Sequence, residues 1–581
     1  MIRRMSSLFL FCLCSLSAGY VAAQNPAERH PSYDAATPHT VTTQPQATLL
    51  RMAPAEQQRL TTSSSYPFDK ELTPTPLKLE AWRGERCSSH LAISTGGAAA
   101  RLSVSCTPLR SAGKEINATV QMLRYTAAGN VVTDDIIGHE SSCTHPSGAH
   151  RGVWYEVNVP QQAAPGIYRG RITASAPGCA PVEQEVELTV IDATLPTPED
   201  WRIHLDLWQH PQAVARWHDV EPWSREHFAL LRPLMQRLAA AGQKCITCTL
   251  LDEAWNGQTY DWFPSMIRWI KGRDGTMRYD YSILDAWIHF MHDEIGIRGQ
   301  ISCYSMLPWH LSIKYHNEAT GQDEVMKAEP GKPEFEAVWA PFLQDFHRHM
   351  QEKGWAGKTC IAIDERPDRM VREAMRLVQE NAPDFRIASA VDRPSALTRE
   401  VYNISPVLTH AGSALGELLR ERKAAGHITT FYVCLHPRVP NTFTTSRPAE
   451  AEWLGLFAAA NHLDGFLRWA YNSWNRNPME STDFGNWPTG DCFLVYPGNR
   501  SSIRFERLRD GIEEFEKIQL LRARAASSPE AAAAIADMNA RLSGLFTVAR
   551  STGTRHAEDV QQARSIIQKT LQTLNALSDK K

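Results

Sequence analysis

The sequence predicts a multidomain α/β protein: an amino-terminal β-sandwich, a central (β/α)8 TIM-like barrel and a carboxy-terminal helical region. Three observations carry this. Eight short apolar runs between residues 201 and 472 are separated mostly by helical or loop segments, the rhythm of strands alternating with helices. Short alternating runs with turn-prone pairs fill residues 76–195. Long amphipathic stretches follow residue 504. A chain of 581 residues exceeds one ordinary domain, so several are expected.

Residues 1–23 read as a secretory signal peptide. Arg3 and Arg4 form its basic end, residues 8–16 its short apolar core, and Val21 and Ala23 fit a small-residue cut before Gln24. That core is too short to span a bilayer, and no other segment is long and apolar enough for a membrane helix. A lipid anchor on Cys12 or Cys14 is disfavoured, because Phe11 and Leu13 stand where a small residue is needed. The expected location is therefore exported, periplasmic or secreted. Residues 24–75, rich in Pro, Thr, Ser and Gln, read as a linker or lead-in.

In residues 76–195, Leu102-Ser-Val-Ser, Ala118-Thr-Val-Gln-Met and Val153-Trp-Tyr-Glu-Val-Asn-Val alternate as half-buried strands do. Pro165-Gly166 and Pro177-Gly178 punctuate them, and Pro196 and Pro198 mark the boundary. Export makes disulfides among Cys87, Cys106, Cys143 and Cys179 an expectation, with three connectivities left open. Cys245, Cys303, Cys360, Cys434 and Cys492 lie in or near apolar barrel segments and read as buried thiols. Cys245 and Cys248 have redox-motif spacing, but along a strand that spacing points the side chains to opposite faces.

The barrel occupies residues 196–503. Its strands are predicted at 201–208, 244–251, 299–306, 358–364, 385–391, 401–408, 430–436 and 465–472. Phe228, Leu231, Leu234 and Leu238 recur at helical spacing over 226–241, as do Phe335, Val338, Phe342, Phe346 and Met350 over 335–353. The connection from the fifth strand to the sixth is too short for a full helix. Residues 504–581 form the helical region, with helices at 504–525, 529–547 and 555–577.

A barrel gathers its chemistry where strands end. Those ends supply Asp206, Trp208 and His210, then Asp252, Glu253 and Trp255, then Tyr304 and Trp309, then Asp364 and Glu365, with Asp392 and His436 later. The eighth end supplies Trp469, Tyr471, Asn472 and Trp474, and Trp487 follows on a loop. Acids, flat aromatics and amides in one mouth suit a sugar-cleaving site: carboxylates move protons and stabilise cationic transition states, and aromatic faces bind the apolar face of a sugar ring. Composition alone does not separate Asp252-Glu253 from Asp364-Glu365, and either pair could equally cap a helix. Trp469 and Tyr471, two apart on a strand, are expected to share one face as a wall, with Tyr471 donating a hydrogen bond. Asn472, Asp206, His210 and Tyr304 are expected to hold sugar groups, and Trp487 to cover the pocket.

Other chemistries lack their signatures. The net charge of -3 with no Lys/Arg block argues against a nucleic-acid partner. His289 and His292 near Asp293 and Glu294 read as a solvated helix face, and no HExxH, GxSxG, phosphate-loop or dinucleotide motif is present.

The words IAIDE, LDGFLRWAYNSWN, GDCFLVYPG and SIRFERLRDGIEEFEKIQLL resemble glycoside hydrolase family 123, the β-N-acetylgalactosaminidases. The segment VWYEVNVPQQAAPGIYRGRI is similar to that family's amino-terminal module, and the likeness covers most of residues 76–525. Many relatives read Asp-Glu-Pro, whereas Arg366 intervenes here before Pro367. The resemblance implies catalytic acids at Asp364 and Glu365 and a retaining mechanism in which the sugar's 2-acetamido oxygen attacks the anomeric carbon. Asp364 would orient that group and Glu365 would serve as general acid and base. The expected enzyme is exo-acting on terminal β-linked N-acetylgalactosamine of a glycan or glycolipid, with no metal or organic cofactor; no pattern sets an oligomeric state. Three rivals stand beside it: a hydrolase of another 2-acetamido sugar such as β-N-acetylglucosamine, a carbohydrate-binding protein without turnover, and a paired-carboxylate hydrolase centred on Glu253.

Overall fold

The computed structural model describes residues 50–54, 75–95, 100–145 and 150–579. The signal peptide and most of the lead-in expected from sequence lie outside the described residues. The described residues all fall within the unit Thr40–Lys581.

The amino-terminal region is built of two sheets. The first runs in the order Leu50–Pro54, Arg86–Thr95, His150–Asn158, Ala118–Ala128, Val131–Ile137 and Ser501–Ser502. The second runs Leu77–Arg83, Val182–Thr194, Gly166–Ser175, Ala100–Cys106 and Ser142–His145. Inward residues of both, among them Ile93, Leu102, Val153, Tyr155, Ile172 and Leu188, meet in one core. Alternation explains it: along Val182–Thr194 buried and half-buried positions take turns, as a strand with one wet face requires. Leu50–Pro54, inside the segment read as a lead-in, pairs antiparallel with Arg86–Thr95.

The expected disulfides are not formed by Cys87, Cys106 or Cys179, which are free thiols. Cys106 instead donates through sulfur to the carbonyl of Ala118 at 3.4 Å, and burial pushes the Cys87 thiol up.

Eight parallel strands follow: His204–Leu207, Cys245–Thr249, Gln300–Tyr304, Thr359–Asp364, Arg386–Val391, Asn403–Pro406, Ile428–Thr429 and Gly465–Arg468. The second to the seventh pair consecutively in one sheet, and the first pairs with the eighth. Single bridges join Leu205 to Gln243 and Tyr432 to Leu467. All eight ladders are shorter than the predicted runs, and two depart most. The seventh ladder covers only Ile428–Thr429 instead of 430–436, and the eighth ends at Arg468 instead of 472. Cys245 and Cys248 do face apart: the Cys245 sulfur lies 3.2 Å from His204 Nε2, while Cys248 is in register with Cys303 on the next strand.

The helices expected at 226–241 and 335–353 are Arg225–Ala239 and Pro333–Glu352. Ser224 caps the first by accepting from the His227 N–H. A four-stranded sheet absent from the sequence reading is inserted after the second and third strands, from Arg268–Lys271, Met277–Asp280, Ser312–Asn317 and Gln322–Lys327.

The carboxy-terminal helices are Ile503–Ala523, Pro529–Leu545 and His556–Ser578, with a short turn at Val548–Ser551. Ile503–Ala523 is a core helix rather than a surface one: even Arg504, Glu506, Asp510, Glu513 and Lys517 are buried on it. Its charges are matched across the molecule. Arg504 Nε and the Tyr496 hydroxyl both donate to Asp135 Oδ2, at 2.9 and 2.5 Å, and Lys517 pairs with Glu85 at 2.6 Å. These contacts fasten the amino-terminal sheets to the helix that leads out of the parallel strands.

Helix Pro448–Ala460 crosses Ile503–Ala523 at a glycine pair. A Cβ on Gly455 would lie 2.3 Å from the carbonyl of Gly511, and backbone cannot give way there. Gly455→Ala is therefore expected to destabilise the protein by about 3 kcal/mol, as forced overpacking does. Urea unfolding checks this; a variant with the parental midpoint would contradict the close crossing.

Candidate active site

The buried run Thr359–Asp364 ends at Asp364, and the chain bends at once. Glu365 has φ +44°, in the left-handed region that a glutamate rarely occupies. Its N–H donates to the carbonyl of Ala390 on the neighbouring strand, at 3.1 Å. Neighbours on a straight strand face opposite ways. The bend is what lets consecutive carboxyls attend to one place.

Asp364 is partly buried and Glu365 exposed. The Tyr432 hydroxyl donates to Glu365 Oε1. Burial raises the proton affinity of that phenol, and the charges of Glu365 and Asp364 raise it further. Trp309 Nε1 donates to Asp364 Oδ2 at 3.4 Å, and the Arg366 guanidinium lies 4.9 Å over the Trp309 ring. Burial, then repulsion from Glu365, pushes the Asp364 carboxyl up to about 7, against the opposing pull of Trp309 and Arg366. Arg366, where this chain departs from the family pattern, thus packs against the indole that binds Asp364.

Beside the pair, Tyr304 is buried with its ring 4.6 Å from Trp208 and 5.2 Å from Trp255. Asp206 is buried, and burial holds its carboxyl up at about 7. His210 is pushed down to about 4 by burial, so its ring is neutral at pH 7 and Nε2–H donates to the Trp469 carbonyl at 3.1 Å. Asp206 Oδ1, His210 Nδ1 and Trp255 Nε1 are buried without a hydrogen-bond partner in the protein. Such orphans cost about 1–3 kcal/mol each unless something satisfies them.

The eighth-strand residues divide. The strand ends at Arg468, so Trp469 and Tyr471 do not share a face. Tyr471 is buried and donates to the Leu234 carbonyl at 3.0 Å, away from the mouth. Trp474 is buried and donates to the Val495 carbonyl at 2.7 Å. The Asn472 amide is spent on the His210 backbone, accepting from its N–H and donating to its C=O, both at 3.0 Å. The polar groups of these three are thus spent on the protein's own backbone. Trp469 remains partly exposed, with Nε1 donating to Asp491 Oδ2 at 3.1 Å and Trp487 5.2 Å away.

Glu253 is engaged on its own loop. It is buried, its Oε1 accepts from the Phe263 N–H at 2.6 Å, and Asp252 Oδ1 accepts from the Ser265 N–H at 2.7 Å. Both acids of that pair pin a loop. His289 and His292 share Asp293 at 2.9 and 2.7 Å, and among the described residues no group of three or more His, Cys, Asp or Glu could hold a metal ion. A cavity of about 340 Å3 lies between Arg86, Lys517 and Arg564, and one of about 280 Å3 between Asp252, Trp269 and Lys314; neither is lined by Asp364 or Glu365.

Tyr432 escaped the sequence reading, which placed the seventh strand at 430–436 but took only His436 from it. The alternation along that run, with a polar-tipped aromatic two residues after Thr430, was the available signal.

Residues 208–521 match the family model for the glycoside hydrolase 123 catalytic domain, and residues 61–176 that for the glycoside hydrolase 123 N-terminal domain. No curated protein matches. Among solved structures, the chain is similar to a family 123 glycoside hydrolase from Clostridium perfringens, studied for glycolipid glycan hydrolysis. The two are 26% identical with a TM-score of 0.81, over 92% of this chain and 99% of that one. A glycoside hydrolase-like protein from Bacteroides vulgatus is 10% identical over 78% of this chain and 79% of its own, and its TM-score of 0.31 carries no argument.

A carboxyl raised from 3.8 to about 7 binds its proton more tightly in the folded state. The cost of ionising Asp364 is absent below about pH 4 and complete above about pH 7. Asp364→Asn should therefore be more stable than the parent at pH 8, by on the order of 1–3 kcal/mol, and equal to it near pH 4. Denaturant melts at the two pH values check this; equal stability at pH 8 would mean that burial does not penalise the Asp364 charge.

Proposed function

The chain belongs to glycoside hydrolase family 123, and from that premise we propose that it is an exo-acting, retaining enzyme that releases terminal β-linked N-acetylgalactosamine from glycans or glycolipids. The carrying observation is the left-handed bend at Glu365, which brings its carboxylate to the Tyr432 hydroxyl directly after Asp364, whose own carboxylate accepts from Trp309. The glycolipid glycans of the Clostridium perfringens relative support that substrate class.

The reaction runs in two halves. The acetamido oxygen of the substrate attacks the anomeric carbon as the bond to the leaving oxygen breaks. Glu365 gives its proton to that oxygen, and Asp364 accepts the acetamido N–H and stabilises the charge that develops on it. Water, deprotonated by Glu365, then opens the oxazoline and restores the β-anomer. The nucleophile belongs to the substrate, so the usual rule relating carboxylate separation to stereochemistry does not govern this site. In the free enzyme the proton preference rests on Asp364. An acetamido N–H donated to Asp364 favours its ionised form, the form that stabilises charge developing on the acetamido group.

The surroundings suit this reading. Trp309 and Tyr432 each hold one acid. Trp469 and Trp487 offer an apolar wall, and the unsatisfied His210 Nδ1 and Asp206 Oδ1 offer acceptors to hydroxyls. We read the eight parallel strands as a (β/α)8 barrel over residues 196–503, supported by the bridges at Leu205 and Tyr432 that link the two strand sets. The two amino-terminal sheets with their common core support a β-sandwich over 76–195. The leader at 1–23 supports export, and among the described residues no helix is long and apolar enough to cross a membrane.

A chromogenic β-N-acetylgalactosaminide assayed beside its gluco epimer tests the proposal. The galacto substrate should be preferred, and Asp364→Asn and Glu365→Gln should each lower turnover by about a hundredfold or more. Activity in both variants, with loss in Glu253→Gln, would move the site elsewhere; sugar affinity with no hydrolysis would make the protein a binder.

A further inference from the structure

Among the described residues three large aromatic side chains are exposed: Tyr260 at 40%, Trp262 at 63% and Trp309 at 39%. All three lie on loops that leave the carboxy ends of the second and third parallel strands. Trp309 already serves Asp364. Trp262 has no such task, and a single exposed apolar side chain would ordinarily need no explanation.

Its backbone, however, is held on both sides. Asp261 is paired with Arg216, and Thr259 Oγ1 donates to the Asp261 carbonyl at 2.7 Å. The Glu253 N–H donates to the Phe263 carbonyl at 2.8 Å, the Phe263 N–H donates to Glu253 Oε1 at 2.6 Å, and the Phe263 ring packs 5.0 Å from Trp255 and 5.4 Å from His210. Arg216 also donates to the carbonyls of Trp474 and Asn475, at 2.9 and 3.0 Å, and lies 4.6 Å over Tyr260. The helix Pro211–His218 after the first strand thus ties the loops after the second and eighth strands, and the tie presents an indole to water. Ordering of that kind lowers the entropy cost of binding.

The indole's loop is continuous with the site wall. Tyr260 meets Phe484 at 6.0 Å, Phe484 bridges to Trp487, and Trp487 packs on Trp469. We propose that Trp262 is a platform for a sugar ring of the leaving-group chain, making it a specificity-determining residue that favours extended glycans over simple glycosides. The proposal rests on the reading of Asp364 and Glu365 as the cleavage point. A sugar fits better than a lipid tail: one isolated ring beside an Asp–Arg ion pair and a threonine offers a flat apolar face with polar margins, whereas an acyl chain needs a contiguous apolar patch.

The test compares the parent with Trp262→Ala and Trp262→Phe. Two substrates are used, the methyl β-glycoside of N-acetylgalactosamine and a trisaccharide ending in the same β-linked sugar. In Trp262→Ala the ratio of kcat/KM for the trisaccharide over the methyl glycoside should fall about tenfold, the scale of one lost aromatic contact, and Trp262→Phe should recover part of it. An unchanged ratio overturns the proposal, including the case in which both substrates weaken equally. If the parent cleaves neither substrate, the reading of the acids fails instead. The platform is then judged by affinity electrophoresis through gel carrying the trisaccharide: retardation of the parent but not of Trp262→Ala upholds it, and equal migration overturns it.

Discussion

One backbone torsion governs the site. A glutamate at φ +44° directly after the last residue of a buried strand costs about 1 kcal/mol, and that strain persists only because its surroundings enforce it. The enforcement is local. The Glu365 N–H is committed to Ala390 on the adjacent strand, and its carboxylate to Tyr432, just past the end of the seventh strand. Remove the turn and the two acids face opposite sides of the sheet, one toward the interior and one toward the packed helices. With the turn, they repel each other at close range, and burial adds to that repulsion at Asp364. Shape and proton affinity are therefore two results of one bend.

The rest of the molecule keeps that bend in place. Much of the mouth is fixed by side chains whose polar groups bond within the protein. Asn472 clamps the His210 backbone, Glu253 pins Phe263, and Arg216 ties two loops. Further out, Asp135 receives both Arg504 and Tyr496 in the interior, joining the amino-terminal sheet to the core helix. A buried charge with two good donors is a poor source of net stability but a strong penalty on any other arrangement. The sheets thus act on the site indirectly, by fixing the helix and loops on which its far wall stands.

Much of this was legible in the sequence. All eight parallel strands sit within or against the apolar runs that announced them, and the acids at 364 and 365 stand where a strand end was expected. What was not legible has physical causes. Strand length depends on where the ladder breaks, and Trp469, Tyr471 and Asn472 continue an apolar run after the ladder has ended at Arg468. Period-two reasoning then assigned Trp469 and Tyr471 a shared face that they do not have. Polar tips are ambiguous for a similar reason: a Tyr or Trp whose donor reaches a carbonyl behind the wall, as Tyr471 and Trp474 do, reads in sequence like one whose donor reaches a ligand. The inserted sheet at 268–327 consists of short, half-exposed strands with no strong alternation, so only tertiary pairing reveals it.

The central claim is that the two neighbouring acids divide their work on one 2-acetamido sugar. A crystal structure with a thiazoline derived from N-acetylgalactosamine, a stable mimic of the oxazoline, tests it most directly. The account predicts an Asp364 oxygen within about 3 Å of the ring nitrogen and a Glu365 oxygen beside the anomeric carbon, on the face that water would approach. A thiazoline bound with either carboxylate turned away from it, or held only by Asp252 and Glu253, would contradict the account.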